Sequence, residues 1–335
     1  MKRIIVTVFL TVIFLIALCA CEKRMSSEGQ EPYIMKDEST YTLNTKIEDV
    51  INDSSFEGYG RLIFPVETGY YNGNTLSELQ LTWYSNIDSE KTVEIVNYLG
   101  SNADAGNTVF YDIYTDREKT EDPSRRDTGL FFFKGIAGEK FAICNAGGGF
   151  AYVGAIHDSF PHALELSKKG YNAFALIYRP NPQSACEDLA RAISFVFKHA
   201  DEFEVDTDCY SLWGGSAGAR MAAWLGSYGP GAFGGDDLPR PGAVIMQYTG
   251  HKEYSKDDPP TYACVGKNDW IADWRIMKNR LEHMKALGID TEFHSYSSLE
   301  HGFGLGTGTV AEGWIDDAAD FWEKQCNERK ETGKQ

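Results

Sequence analysis

At Gly214-Gly215-Ser216-Ala217-Gly218 an apolar, strand-like run from Tyr210 to Trp213 gives way to a helix-like run from Ala219 to Leu225. So short a strand-to-helix turn constrains its surroundings, because a Cβ at the flanking positions would collide with the adjoining strand or helix backbone. Glycine on both sides of a single serine satisfies that constraint and lifts the hydroxyl to the carboxyl end of a strand. Ser216 is therefore the candidate nucleophile. The bare pattern G-x-S-x-G arises by chance in about one chain in ten at ordinary residue usage, so its weight comes from the residues it must work with.

A serine of this kind needs a histidine to take its proton and a carboxylate to orient that histidine. Both occur downstream. The run Thr261-Tyr262-Ala263-Cys264-Val265 reads as a strand that empties into Gly266-Lys267-Asn268-Asp269, leaving Asp269, the candidate acid, at the strand's carboxyl end. A second short strand, Thr291 to Tyr296, precedes the loop Ser297 to Phe303, which carries the candidate base, His301. An oxyanion hole must also present backbone N-H groups to the charge that develops on an attacked carbonyl. Asn145-Ala146-Gly147-Gly148-Gly149-Phe150 follows the apolar strand Phe141 to Cys144 and supplies a close-approaching backbone, with Gly148, Gly149 and Ala217 as the expected donors. A flexible linker is the competing reading of that glycine run, and linkers seldom join a buried strand to an aromatic residue and a helix.

Competing residues have plainer readings. His157 and His162 precede the serine and suit a pocket rim or helix cap, and His294 lies within a strand as a half-buried side chain. Asp273 falls inside the following helix, while Asp257 and Asp258 precede their strand. Arg179, ending the strand Phe174 to Tyr178, is expected to brace the sheet edge by bidentate pairing with a carboxylate.

The order Ser, Asp, His, the triple-glycine loop after a strand, and the segment Gly170 to Arg179 together resemble the bacterial α/β-hydrolase esterases related to acetyl-xylan esterases and the hormone-sensitive-lipase group. The likeness covers residues 128 to 328, with Asn145 standing where those enzymes carry His or Pro. The resemblance implies an α/β-hydrolase fold and a Ser216-His301-Asp269 triad. It also implies an acyl-enzyme mechanism with neither metal nor organic cofactor, and short acyl substrates, acetyl groups on carbohydrate among them.

The segments agree with that class. Strands at 140 to 144, 172 to 178, 209 to 213, 243 to 248, 260 to 265 and 291 to 296 alternate with helices at 159 to 169, 184 to 200, 217 to 226, 271 to 287 and 311 to 326. Such an order makes a mostly parallel sheet covered on both faces. A chain of 335 residues, 42% hydrophobic, buries a large core. Its formal net charge of -17, without a basic stripe, argues against a nucleic-acid partner.

The ends carry other information. Residues 1 to 21 read as an export signal: Lys2 and Arg3 precede the apolar run Ile4 to Leu18, and Leu18-Cys19-Ala20-Cys21 resembles the lipobox at which a bacterial lipoprotein is cut and lipidated, here on Cys21. An uncleaved N-terminal anchor is the alternative, and either reading places the protein outside the cytoplasm, tethered to the membrane. Residues 22 to 41 read as a disordered tether and 329 to 335 as a flexible tail. Of the later cysteines, Cys144, Cys186, Cys209, Cys264 and Cys326, most read as buried free thiols, since a domain with this much core needs no disulfide framework.

Residues 42 to 127 form an N-terminal extension that packs on or caps the catalytic domain of 128 to 328. Helices are expected at Lys46 to Ile51 and Thr92 to Leu99, and strands at Leu62 to Phe64 and Val109 to Tyr114, the last joining the main sheet. Tyr70-Tyr71 and Trp83-Tyr84 serve either as packing or as stacking surfaces for a sugar ring. The Gly- and Pro-rich stretch 229 to 242 reads as an irregular loop bordering the site. Two further functional readings stay open: a serine peptidase of the same fold, and a surface binding protein that has kept the shell of a hydrolase.

Overall fold

The computed structural model describes residues 40–332. The expected signal, the Cys21 lipidation site, nearly all of the tether and residues 333–335 lie outside the described residues.

The apolar runs at the centre of the sheet are strands buried on both faces, the condition under which a parallel sheet forms. A small hairpin joins β1 (Tyr71–Asn72) to β2 (Gln80–Leu81). The main sheet consists of β3 (Phe110–Tyr111), β4 (Gly129–Phe133), β5 (Lys140–Asn145), β6 (Asn172–Ile177), β7 (Asp206–Gly215), β8 (Ala243–Gln247), β9 (Thr261–Gly266) and β10 (Thr291–Tyr296), in the spatial order β10-β9-β8-β7-β5-β6-β4-β3. Every residue of β4, β5, β6, β8 and β9 is buried. From β6 across to β10 the neighbours are parallel, whereas β4 runs antiparallel to β6, and β3 to β4.

The winding reverses direction at β5: the chain steps from β5 to β6 on one side and returns through β7 on the other. In open α/β sheets the crevice outside the strands' carboxyl ends at such a reversal is where ligands bind. Register pairs Cys144 with Trp213 and Asn145 with Gly214. The loops that leave β5 and β7, which carry the glycine run and Ser216, therefore start side by side.

Several expectations are corrected. Leu62 to Phe64 is no strand: Gly60–Ile63 is a 3-10 turn, in which Leu62 N-H donates locally to Tyr59 O (2.8 Å) instead of to a neighbouring strand. The tether ends before Tyr41, which is buried and clamped by Asn97 through its own N-H (3.0 Å to Oδ1) and carbonyl (2.8 Å from Nδ2). The expected tail is helical as far as Thr332, in the helix Trp314–Thr332. The stretch 229 to 242 lies at the amino ends of the strands, remote from the site, because Gly242 N-H donates to Tyr210 O (2.7 Å) and Tyr210 Oη-H to Pro239 O (2.9 Å).

Cys209 and Cys326 form a disulfide, with Cα atoms 5.8 Å apart and 117 residues of separation. This corrects the free-thiol reading for that pair. The helix Trp314–Thr332 lies against the start of β7, where Trp322 Nε1 donates to Cys209 O (2.9 Å) and brings the two sulfurs together. Cys144, Cys186 and Cys264 are free and buried.

Candidate active site

β7 ends at Gly215 and the helix Ala217–Tyr228 begins two residues later, so Ser216 alone makes the turn, at φ 51° and ψ -112°. Such a conformation costs a non-glycine residue about 1–3 kcal/mol and persists only where the surroundings enforce it. Here Ser216 N-H donates to Gln247 O (3.0 Å) at the end of β8. A side chain on Gly214 would strike the backbone at Gly218, and one on Gly218 the carbonyl of Asn145, so the glycines flanking the serine are required by contact.

The two loops predicted to serve Ser216 both reach it. Ser216 Oγ lies 3.0 Å from His301 Nε2, and His301 Nδ1 lies 2.7 Å from Asp269 Oδ2. The other carboxylate oxygen of Asp269 accepts from the N-H groups of Ile271 (2.8 Å) and Ala272 (2.7 Å), which fixes the group's orientation. His301 is 4% exposed and the Asp269 side chain 0%, so this pair works shielded from water, where a hydrogen bond to a charged group counts for more.

The glycine loop lies against the nucleophile: a methyl group on Gly147 would fall 2.9 Å from Ser216 Cβ. Gly147 cannot serve as an oxyanion donor, since its N-H is committed to Asp158 Oδ2 at 2.6 Å. The N-H groups of Gly148, Gly149 and Ala217 have no acceptor among the described residues. Gly148 has φ 127° and Gly149 φ 63°, values open to glycine and strained for other residues.

Asp158 was not singled out from the sequence. It is fully buried, and its carboxylate accepts from Gly147 N-H, from Tyr84 Oη-H (2.8 Å) and from Tyr248 Oη-H (2.5 Å). Burial, reinforced by the Asp158 charge, holds both phenols well above their ordinary pKa, so they remain proton donors. Tyr248 in turn packs edge-on against the His301 ring, with centroids 5.0 Å apart. One carboxylate thus ties together the head of the glycine loop, the end of β8 and a tyrosine from the N-terminal extension. An acid in the apolar run Ala155-Ile156-His157-Asp158, directly after the glycine loop, was the available signal.

The competing residues are engaged elsewhere. His157 Nε2 lies 3.0 Å from Gly302 O, His162 packs edge-on against Trp314, and His294 pairs with Glu292. Asp273 caps the helix Trp274–Ala286 and Asp258 pairs with Arg280. Arg179 makes the expected bidentate pairing, to Asp188, itself also bonded by Tyr114 Oη-H. Tyr70 and Tyr84 are partly buried against the core, Tyr70 stacked on Tyr152, but Trp83 stays 39% exposed. A cleft of about 340 Å³ opens where β6 ends, lined by Val153, Tyr178, Arg179, Phe64 and Glu67; neither Ser216 nor His301 lines it. Among the described residues no group of three or more His, Cys, Asp or Glu side chains is placed to hold a metal ion.

Residues 139–233 match the BD-FAE family model, a span that includes the glycine loop and Ser216 and stops short of Asp269 and His301. No curated protein sequence matches the chain. Solved structures resemble it. An acetyl ester-xyloside bifunctional hydrolase from Caldicellulosiruptor lactoaceticus superposes with a TM-score of 0.56 at 19% identity, over 64% of this chain and 95% of the other. An α/β-hydrolase enzyme, MGS-M1, from a Medee basin deep-sea metagenome gives 0.51 at 21% identity, over 60% and 93%. A thermophilic esterase from Thermogutta terrifontis, with propionate bound, gives 0.51 at 20% identity, over 58% and 88%. The chain has the α/β-hydrolase fold, and its mostly parallel sheet with surrounding helices is what these neighbours share.

Proposed function

We propose that the protein is a serine carboxylesterase acting on short acyl esters, acetyl groups on carbohydrate among them, through an acyl-enzyme. The observation that carries this reading is the continuous chain from Ser216 Oγ to His301 Nε2 (3.0 Å) and from His301 Nδ1 to Asp269 Oδ2 (2.7 Å), facing a glycine loop with uncommitted N-H groups. Ser216 Oγ attacks the ester carbonyl as its proton passes to His301 Nε2, while Asp269 holds Nδ1-H and the resulting imidazolium. The N-H groups of Gly148, Gly149 and Ala217 take up the oxyanion, each worth about 3 kcal/mol of barrier. The alcohol leaves with the proton from His301. Water, deprotonated by the same nitrogen, then attacks the acyl-Ser216 carbonyl and releases the acid.

The test uses protein lacking residues 1 to 21. It should release acid from 4-nitrophenyl acetate and from acetylated xylan, and Ser216→Ala should lose that activity by several orders of magnitude. Undiminished turnover by the mutant removes Ser216 from the mechanism. Cleavage of small peptides with no ester turnover favours the peptidase, and inertness towards both favours the binding protein.

Export with lipidation at Cys21 belongs to the same proposal. It draws support from the N-terminal pattern and from the Cys209–Cys326 disulfide, a bond that persists in oxidising compartments. Radiolabelled palmitate should enter the full chain in a bacterial host and not the Cys21→Ser chain; equal labelling of both rules the site out.

A further inference from the structure

The extension ahead of the sheet contributes one segment, residues 82 to 86, that touches both halves of the site. Tyr152 Oη-H donates to Thr82 O. The Trp83 ring lies over the glycine loop, so close that a methyl group on Gly149 would sit 2.8 Å from Trp83 Cζ3. Tyr84 bonds Asp158, which holds Gly147. Ser85 Oγ-H donates to His301 O (2.7 Å) and Ser85 N-H to Gly302 O (3.2 Å), while Asn86 Nδ2 reaches Thr307 O (3.3 Å). The segment is a strap joining the loop that carries the base to the loop that carries the oxyanion donors.

Trp83 is the strap's large exposed side chain: Thr82, Tyr84 and Ser85 are partly buried, yet Trp83 keeps 39% of its surface exposed. It also holds φ 70°, a left-handed conformation that a bulky residue adopts only under constraint from its surroundings. Its ring is backed by Tyr152 (5.9 Å) and Tyr70 (6.0 Å), which stack on each other at 4.7 Å. A braced, part-exposed indole packed against Gly149, one of the expected oxyanion donors, is placed to contact whatever a substrate carries near its carbonyl.

Building on the esterase reading, we propose that Trp83 is a specificity-determining wall of this site, selecting esters with an apolar or ring-bearing group beside the carbonyl, and that Ser85 is a positioning residue for the His301 loop. A flat aromatic face gains contact area with an alkyl chain or a sugar ring at little cost in side-chain freedom. It gains almost nothing with a methyl ester.

The test compares methyl acetate, 4-nitrophenyl acetate and 4-nitrophenyl butyrate on wild type, Trp83→Ala, Trp83→Phe, Ser85→Ala and Ser85→Thr, with thermal melting to confirm folding. Trp83→Ala should raise KM about tenfold for at least one nitrophenyl ester relative to methyl acetate while kcat stays within twofold, and Trp83→Phe should restore most of the difference. Ser85→Ala should lower kcat about tenfold for all three esters at unchanged KM, with recovery in Ser85→Thr. Equal KM changes for all esters in Trp83→Ala, or none, overturn the wall; a Ser85→Ala kcat within twofold of wild type overturns the brace. If wild type turns over no ester, the esterase reading itself fails, whereas an active wild type with indifferent strap variants sinks this inference alone.

Discussion

Removing the carboxylate at position 158 should separate two things it does, anchoring the glycine loop and satisfying buried donors. In Asp158→Ala the Gly147 N-H loses its acceptor and cannot rotate to find another, and the hydroxyls of Tyr84 and Tyr248 lose theirs inside the same closed space. An orphaned buried donor costs about 1–3 kcal/mol, so the three together should destabilise the fold by about 4 kcal/mol, allowing for partial relaxation. Asp158→Asn is gentler. Its carbonyl oxygen can keep the Oδ2 position, accepting from Gly147 and Tyr84, while its NH2 group donates to a Tyr248 hydroxyl that has turned to accept. Only the charge assistance is lost, about 1–2 kcal/mol.

Activity should follow the same order. A loop released at Gly147 no longer holds the neighbouring N-H groups in place, and one misplaced oxyanion donor costs about a hundredfold in kcat. Urea denaturation read by tryptophan fluorescence gives the stabilities, and hydrolysis of 4-nitrophenyl acetate at saturating substrate gives kcat. We expect Asp158→Ala to lose about a hundredfold in kcat with a modest change in KM, and Asp158→Asn less than tenfold. A kcat for Asp158→Ala within threefold of wild type, in protein shown to be folded, would refute the argument that this carboxylate sets the loop.

Two further outcomes concern stability. Reducing the Cys209–Cys326 bond, or replacing both cysteines by alanine, opens a loop of 117 residues and should cost about 3–5 kcal/mol, visible as a lower urea midpoint; identical midpoints with and without dithiothreitol would contradict it. Burial pulls His162 down to about 4 and His251 to about 3, below the 6.5 of an exposed ring. The unfolded chain therefore takes up protons that the folded one refuses as pH falls from 6.5 towards those values. Stability present above pH 6.5 should drain away through that window, by roughly 1 kcal/mol per pH unit for each ring. Denaturation at pH 7 and pH 5 checks this, and a His162→Gln protein with the same pH slope as wild type would count against the assignment.

What was legible in the sequence follows from how local the signal was. The parallel strands of the sheet's interior are buried on both faces and show as apolar runs, and the glycines around Ser216 and after β5 are demanded by close backbone contacts. Asp269 and His301 could be placed because each follows a short strand, the partly buried edge strand β10 in the case of His301. β4 went unread although Gly129–Phe133 is wholly apolar, since it joins the sheet antiparallel to β6, outside the succession of parallel strands that the pattern followed. Leu62 to Phe64 misled because an apolar triplet has no periodicity to tell a turn from a strand. Asp158, the strap and the disulfide were out of reach for a common reason. Each is defined by a hydrogen-bond or disulfide partner at least 70 residues away, other than the one Gly147 bond, and no spacing rule links Tyr84 to Asp158 or Cys209 to Cys326.

The disulfide has one more effect. Ser216, Asp269 and His301 all lie between Cys209 and Cys326, so the three residues proposed for catalysis sit inside a single covalent ring. A protease that clips an exposed turn such as the one at 229 to 242 would yield two pieces still joined through sulfur, each packed in place by the sheet. A nicked molecule of this kind would run as one species without reductant and as two with it.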